Sequence, residues 1–270
     1  MTSTDTDFAG SIPEFYDTYL VPLIFDEYAV DLADRVAAIA PRSVLEIAAG
    51  SGVVPRALAG RLHEDTRYVV TDLNQPMLDH AARRQEPGHA IEWRQADALD
   101  LPFAENSFEV VICQYGVMFF PDKAKGHTEA ARVLTRGGTY IFSVWDRIES
   151  NELAAAVTDA AARVFPDDPP RFLARTPHGY FDHDAIRADL ARAGFSDISI
   201  DTVEKTSTAP SPRHAAIAYC QGTPLRTEIE ARDRDLLEHV TDVATAEVER
   251  RHGSGTVSAG IRAHVVTAIK

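Results

Sequence analysis

The chain has 270 residues, 45% of them hydrophobic, which is enough for a substantial buried core. Its 27 basic and 41 acidic residues give a formal net charge of -14, which excludes a basic footprint for nucleic acid or for an anionic membrane surface. Two cysteines are too few for a disulfide framework, and residues 1–10 are polar, without the apolar run of a signal peptide. We expect a cytoplasmic protein with no nucleic-acid partner and no membrane partner.

Apolar residues at helical spacing predict an N-terminal helical segment over residues 13–40. Strand and helix patterns then alternate as far as Trp145, and the inner strands are apolar throughout, as in a parallel sheet that helices cover on both faces. The predicted strands cover residues 43–47, 68–71, 90–93, 108–113 and 139–145, and the predicted helices cover residues 52–62, 75–84 and 123–134. This order predicts an α/β fold with a doubly wound, mostly parallel sheet.

The pattern changes after Trp145. Two predicted helices, at 152–164 and 184–193, precede two half-buried strands, near 198–200 and 261–269, that can pair as a hairpin. A Ser/Thr/Pro-rich linker at residues 206–212 and a helical stripe from Ile229 to Val248 lie between these strands. We therefore expect a helical insertion over residues 206–256 within a terminal β-hairpin.

Polar residues follow four of the predicted strands. The segment 46–52 closes the first strand, Asp72 closes the second, Asp97 follows the third, and Gln114 follows the fourth. Ligands of doubly wound sheets bind beyond the carboxyl ends of the strands. A carboxylate at the end of the second strand can accept hydrogen bonds from both hydroxyls of a ribose, so these positions predict a ligand that contains a nucleoside.

The segment 46–52, which we call the glycine turn, contains Gly50 and Gly52, and two phosphate-binding motifs fit it poorly. A dinucleotide fingerprint requires a third glycine three residues after Gly52, where this chain has Pro55, and a P-loop requires a Gly-Lys-Ser/Thr sequence that is missing here. A nicotinamide-dependent oxidoreductase is therefore a weak alternative.

Five motifs in chain order resemble those of the S-adenosylmethionine-dependent methyltransferases of the class I, Rossmann-like type. They lie at residues 45–52, 69–74, 95–103, 108–114 and 132–138. The resemblance covers most of the chain and implies S-adenosyl-L-methionine as the cofactor. It also implies a sheet of seven strands whose last strand is antiparallel and pairs with the sixth.

The resemblance implies a set of cofactor-binding residues. In the turn after the first strand, Gly50 and Gly52 would let the backbone approach the methionine part of the cofactor. Ala48 replaces the usual first glycine of the family. The implied set is Tyr16, Glu46, Ala48, Gly50, Ser51, Gly52, Asp72, Leu73, Met77, Asp97, Ala98 and Gln114.

Each later motif has an implied role. Asp72 would bind the ribose hydroxyls, and Leu73 and Met77 would flank the adenine. Asp97 would accept from the adenine amino group, and the Ala98 backbone would contact a ring nitrogen.

Two residues would act at the methionine end of the cofactor. Gln114 would lie near the methionine tail. Tyr16, in the N-terminal segment, would reach the cofactor carboxylate, with aromatic packing of its helix as the alternative.

The implied reaction is direct, in-line methyl transfer to a small, partly apolar organic acceptor. Holding two reactants in a near-attack pose contributes roughly 7 to 11 kcal/mol, so neither a protein nucleophile nor a metal is required. No catalytic residue is assigned among the candidate bases, which are His127, His178, His183 and His214. The alternative is a protein that binds S-adenosylmethionine without methyl transfer, as a pericyclic or decarboxylating catalyst or as a binding-only subunit.

We expect a single methyltransferase domain over residues 1–270. Its expected parts are an N-terminal helical lid at 13–40, a cofactor-binding core at 41–146, acceptor-side helices with the sixth strand at 147–205, the insertion at 206–256 and the terminal strand at 257–270. The insertion would lie on the substrate side or form the contact of a homodimer. Acceptor identity, and the choice between O-, N- and C-methylation, stay open.

Overall fold

The structure is a computed structural model that describes residues 15–270. The predictions for residues 1–10, and for the beginning of the N-terminal helix at residues 13 and 14, lie outside the described residues. No helix in the described part of the chain combines the length and the apolar character needed to span a membrane.

Strands and helices alternate through the first half of the chain, as predicted. The strands are β1 Ser43–Glu46, β2 Arg67–Asp72, β3 Ile91–Gln95, β4 Phe108–Gln114, β5 Leu134–Trp145, β6 Ser196–Ala209 and β7 Val257–Ile269. The helices are the π-helical α1 Tyr16–Phe25, α2 Asp26–Ile39, α3 Val53–Leu58, α4 Gln75–Arg84, α5 Lys123–Val133, α6 Glu152–Val164, α7 Phe172–Arg175, α8 His183–Arg192, α9 Pro212–Cys220, α10 Leu225–Arg232 and α11 Leu237–His252.

The seven strands form one sheet in the order β3-β2-β1-β4-β5-β7-β6. Strands β1 to β5 pair in parallel, with Leu45 of β1 opposite Val69 of β2 and Val111 of β4. Strand β7 runs antiparallel to β5, because the Lys270 N–H donates to the Gly138 carbonyl at 3.0 Å, whereas the Asp146 N–H donates to the Arg262 carbonyl at 3.1 Å. The predicted seven-stranded, mostly parallel sheet is confirmed.

Burial explains why the inner strands are apolar on both faces. Val44 and Leu45 of β1, and Val110, Val111 and Ile112 of β4, are all fully buried. Side chains on a strand alternate between the two faces, so a strand without exposed positions requires cover on both sides. The order of the parallel strands brings the carboxyl ends of β1 and β4 side by side, next to that of β2.

The described chain forms two compact units. The sheet unit comprises Asp26–Val144, Phe181–Thr202 and His264–Lys270 and contains β1 to β4 with most of β5. The helical unit comprises, of the described residues, Phe15–Phe25, Trp145–Tyr180 and Val203–Ala263. Within the helical unit, α11 packs against α9 and α6.

The helical insertion is confirmed, but its first boundary differs from the prediction. Residues Thr206 to Ala209, expected in a linker, form the end of β6, and α9 begins at Pro212. The alternation of exposed Thr206 and Thr208 with buried Ser207 and Ala209 is that of a strand with one face covered. In addition, the Ser207 hydroxyl donates to the Leu23 carbonyl at 2.6 Å.

Candidate functional site

The turn after β1 is built from residues with left-handed backbone conformation. Gly50 has φ +56° and Gly52 has φ +79°, and a Cβ at Gly52 would lie only 2.7 Å from the Cβ of Ala81. The Ala49 N–H donates to the Thr71 carbonyl at 3.0 Å, which joins the turn to the end of β2. Position 52 therefore requires glycine, both for its conformation and for the close approach of α4.

Ala48 adopts φ +56° although it carries a side chain. A Cβ added at Gly116, in the loop after β4, would lie 2.5 Å from the Ala48 Cβ and 2.7 Å from the Cys113 Sγ. The missing side chain of Gly116 thus leaves the space that the Ala48 methyl group fills. Alanine at position 48 is therefore accommodated because position 116, in the neighbouring loop, is glycine.

Asp72 is bonded directly to the glycine turn. Its Oδ2 accepts from the Gly50 N–H at 2.8 Å and its Oδ1 accepts from the Asn74 N–H at 2.8 Å. Burial raises the pKa of Asp72, and these backbone hydrogen bonds act against that rise. The structure therefore brings together two predicted site residues that are 22 positions apart.

An apolar surface follows Asp72. Leu73 is 51% exposed, whereas Met77 is buried with its Cε 3.9 Å from the Cβ position of Gly50. The Gln95 Nε2 donates to the Leu73 carbonyl at 2.8 Å, so the end of β3 holds the Leu73 backbone in place.

The ends of β3 and β4 supply the last predicted positions in the sheet unit. The Ala96 N–H donates to the Asp72 carbonyl at 3.0 Å, which places Asp97 and Ala98 immediately beyond the end of β2. Asp97 is exposed, and its Oδ1 accepts from the Leu99 N–H at 2.8 Å. Gln114, half-buried, is the last residue of β4.

Tyr16 belongs to the helical unit, where its ring centroid lies 5.3 Å from that of Phe25. This contact agrees with aromatic packing of the helix, which is the alternative role of Tyr16. A role of Tyr16 in cofactor binding stays a prediction.

Glu46 makes a buried hydrogen bond that the sequence motifs did not indicate. Glu46 is 1% exposed, and its carboxyl group accepts from the Tyr68 hydroxyl of β2. Burial raises the pKa of Glu46 to about 8, and the hydrogen bond from Tyr68 lowers it only in part. The parallel register of β1 and β2 could have indicated this hydrogen bond, because Glu46 lies opposite Val70, and Tyr68 is two positions from Val70 on the same face of the sheet.

Arg56, a further group beside the turn, was not indicated by the sequence motifs, whereas Ser51 belongs to the implied set. The Ser51 hydroxyl is buried and has no hydrogen-bond partner in the part of the chain that the structure describes. The Arg56 guanidinium donates from Nη1 to the Ser51 carbonyl at 2.7 Å. Arg56 follows Gly52 by four residues, which is about one helical turn. This spacing could have indicated that the Arg56 side chain lies close to the glycine turn.

Two of the candidate histidines are buried. His127 is fully buried in the sheet unit, with ring centroids 5.8 Å from Tyr140 and 5.3 Å from Phe142. His178, in the helical unit, donates from Nδ1 to the Asp146 carbonyl at 2.8 Å. Burial lowers the pKa of each imidazole to about 4, so both are neutral at neutral pH. Among residues 15–270, no group of three or more His, Cys, Asp or Glu side chains is arranged to hold a metal ion.

Comparison with known proteins places these features in a family. Residues 45–142 match the family described as "Methyltransferase domain". The demethylmenaquinone methyltransferase of Thermus thermophilus is 30% identical over 178 residues, which are 62% of this chain and 79% of that relative. The demethylmenaquinone methyltransferase of Clavibacter sepedonicus is 35% identical over 106 residues, which are 39% of this chain and 42% of that relative.

The first curated relatives are matched over only about two fifths of their own length. Among solved structures, a SAM-dependent methyltransferase from Thermotoga maritima shares the fold with a TM-score of 0.55 at 15% identity, over 96% of this chain and 98% of that one. The family match covers the end of β1, strands β2 to β4 and most of β5, and therefore the turn and all four strand ends described above. The chain belongs to the class I, Rossmann-like family of S-adenosylmethionine-dependent methyltransferases.

Proposed function

We propose that this protein binds S-adenosyl-L-methionine in the sheet unit and transfers its methyl group to a small, partly apolar organic acceptor. The observation that carries the proposal is the hydrogen bond from the Gly50 N–H to the Asp72 carboxylate, because it joins the glycine turn to the carboxylate at the end of β2. This pair is the arrangement that a ribose and its neighbouring methionine chain would require.

The residues of the sheet unit fit the cofactor in three respects. The Cβ position of Gly50 has no atom closer than Met77 Cε at 3.9 Å, so a ligand can approach the backbone there. The half-exposed Leu73 offers an apolar surface for the adenine. The buried Ser51 hydroxyl has no hydrogen-bond partner within the described part of the chain, and a polar ligand atom would satisfy it.

When bound, the cofactor supplies an electrophilic methyl group on a sulfonium. The contribution of this chain is binding and orientation: Asp72 would hold the ribose, Leu73 and Met77 would flank the adenine, Asp97 and the Ala98 backbone would bind its polar edge, and Gln114 would contact the methionine tail. The reaction is then a direct, in-line displacement by the acceptor, for which fixed geometry is the main source of acceleration. A general base is not assigned, and neither His127 nor His178 is required for this role.

The names of the relatives support a small organic acceptor. Two matched relatives are demethylmenaquinone methyltransferases, and methyl transfer to a molecule of that kind agrees with the partly apolar acceptor expected from the sequence. The acceptor of this chain is proposed at the level of that class.

Calorimetric titration with S-adenosylhomocysteine tests the cofactor. We expect binding of S-adenosylhomocysteine and no binding of NAD. Asp72→Ala should lower the affinity for S-adenosylhomocysteine by about 10- to 100-fold, because the two charge-assisted hydrogen bonds from the ribose hydroxyls are lost. The matched control is Asp79→Ala on α4, which removes an exposed carboxylate that accepts from Gln75 at 2.7 Å. This variant should bind S-adenosylhomocysteine with unchanged affinity. Absence of binding to the wild-type protein would reject the proposal.

Incubation with S-adenosylmethionine and a panel of small aromatic and quinol-type compounds tests the transfer. We expect a product that is heavier by one methylene unit, together with an equal amount of S-adenosylhomocysteine, both detected by mass spectrometry. Conversion of an acceptor without formation of S-adenosylhomocysteine would instead favour cofactor binding without methyl transfer.

A further inference from the structure

The charges around the glycine turn raise a question about the amino-acid end of the proposed cofactor. That end carries a carboxylate, and the acidic side chains of Glu46 and Asp72 are both buried beside the turn. A third carboxylate in the same place would be repelled by ionised Asp72, and by Glu46 wherever that group is ionised. The ammonium group of the same amino-acid end offsets part of this repulsion, and a protein cation close to the turn would offset more of it.

Arg56 lies at that position. Its Nη1 donates to the Ser51 carbonyl at 2.7 Å and lies 3.6 Å from the Cβ position of Gly52, so the guanidinium lies against the turn itself. The side chain is half-buried, and burial lowers the pKa of Arg56 while Asp26 and Glu46 act in the opposite direction. A guanidinium remains charged under all these conditions, because its ordinary pKa is far above neutral.

The Ser51 hydroxyl is a second, independent indication of a polar ligand. Ser51 is 1% exposed, and its hydroxyl has no hydrogen-bond partner among residues 15–270, although Arg56 donates to the carbonyl of the same residue. Leaving a buried hydroxyl unsatisfied costs free energy, so a ligand atom that accepts its hydrogen bond would be stabilised there.

We infer that the guanidinium of Arg56 binds the carboxylate of the cofactor's amino-acid tail, with the Ser51 hydroxyl as a second donor. This inference rests on the proposed function and adds to it the group that selects a ligand with a free carboxylate. A guanidinium can hold several acceptors at once through its five N–H donors, so the bond to Ser51 is compatible with a bond to a ligand.

The test compares S-adenosylhomocysteine with its decarboxylated analogue, which keeps the adenosine, the thioether and the amine. Calorimetry should show that the wild-type protein binds S-adenosylhomocysteine at least about 10-fold more tightly than the analogue. In Arg56→Gln, the affinity for S-adenosylhomocysteine should fall by about 10- to 100-fold, whereas that for the analogue should change by less than about 3-fold. The affinity of Arg56→Lys for S-adenosylhomocysteine should lie between those of wild type and Arg56→Gln, because lysine keeps the charge but lacks the planar guanidinium with its paired donors.

The matched control is Arg61→Gln. Arg61 lies just after α3, is bonded to Asp34 at 3.1 Å and does not contact the turn, so both affinities should be unchanged. Equal losses for the two ligands in Arg56→Gln would mean that Arg56 only shapes the turn, and the inference would be wrong. A wild-type protein that binds both ligands equally well would overturn it without any variant. Failure of the wild-type protein to bind either ligand would instead reject the proposed function.

Discussion

Ala48 and Gly116 form a complementary pair of small residues at the ends of neighbouring strands. The sequence indicated that Ala48 departs from the usual glycine of the family, but it did not indicate what accommodates the extra methyl group. That information lies in a contact between residues 68 positions apart in the chain, which no local pattern contains. The contact makes the identity of residue 116 depend on the identity of residue 48.

Gly116→Ala should lower the free energy of unfolding by about 1 to 3 kcal/mol, because the new methyl group would overlap the Ala48 Cβ and the Cys113 Sγ. Adding Ala48→Gly should recover part of this loss, since it removes one of the two overlaps. Urea unfolding of the single and double variants measures the coupling. Gly60→Ala is the control, because nothing lies within 4 Å of its Cβ position. Strictly additive effects of the two substitutions would contradict the predicted pairing.

Glu46 should make stability depend on pH. The pKa of its carboxyl group is 4.5 in an ordinary environment and about 8 in the folded protein, so folding favours the protonated form. Its stabilisation is complete below about pH 4.5 and is lost progressively as the pH rises to about 8. Glu46→Gln should therefore gain stability relative to wild type between about pH 5 and pH 9.

Unfolding free energies measured across this pH range test the prediction for Glu46. The control is Glu92→Gln, at an exposed partner of Arg67 on the edge strand β3. Its free energy of unfolding should depend on pH in the same way as that of wild type. A difference between Glu46→Gln and wild type that does not change with pH would show that the carboxyl group does not titrate as expected.

Helices α6 and α11 are joined by a carboxylate that binds three guanidinium groups. The buried carboxylate of Glu247 accepts from Arg250 at 2.7 Å, from Arg251 at 2.6 Å and from Arg163 of α6 at 2.8 Å. Arg250 is the largest of the influences that hold the pKa of Glu247 well below its usual range. Two ion pairs cross between the helices: Arg163 of α6 binds Glu247, and Arg251 of α11 also binds Asp159 of α6 at 2.6 Å.

Glu247→Gln should destabilise the protein by about 1 to 3 kcal/mol, because an amide oxygen is a weaker acceptor and the substitution removes the counter-charge that Arg163 and Arg250 share. Arg251 keeps its ion pair with Asp159 at 2.6 Å. Thermal melting or urea unfolding measures the loss. Glu249→Gln, two residues further along the same helix and exposed, should change stability little. A loss of equal size in both variants would mean that general helix electrostatics, rather than the cluster, is responsible.

The elements themselves were predictable to different degrees. Strands β1, β2 and β4 could be predicted because their continuous apolar runs directly reflect burial on both faces. The beginning of β5 at Leu134 was missed, since Gly137 takes φ +74° and donates to the Lys270 carbonyl, a partner at the other end of the chain. Similarly, the hydrogen bond between Glu46 and Tyr68 depends on strand register, which turn motifs do not report.

Considered as a whole, the molecule has buried groups that respond to pH in opposite directions. His127 in the sheet unit and His178 in the helical unit have a pKa of about 4 when folded, against 6.5 in an ordinary environment. Both imidazoles therefore favour folding above about pH 6.5, and this contribution is lost as the pH falls to about 4. Glu46 has the reverse dependence.

Melting temperature should therefore fall as the pH decreases from about 6.5 to about 4, and His178→Asn should show a shallower decrease than wild type. The slope, rather than the absolute melting temperature, is the quantity to compare, because the substitution also changes packing. His63→Asn, with a side chain 74% exposed, is the control. A slope for His178→Asn identical to that of wild type would contradict the prediction.

The position of β7 in the sheet has a consequence for the synthesis of the protein. Strand β7 lies between β5 and β6, although it leaves the ribosome after both. Strands β1 to β5 can pair as they emerge, but β6 must wait, through the whole of α9 to α11, for the strand that joins it to the rest of the sheet. A nascent chain stalled before Val257 would therefore present β6 with both edges open, a state in which strands pair with other chains and in which chaperones would be needed.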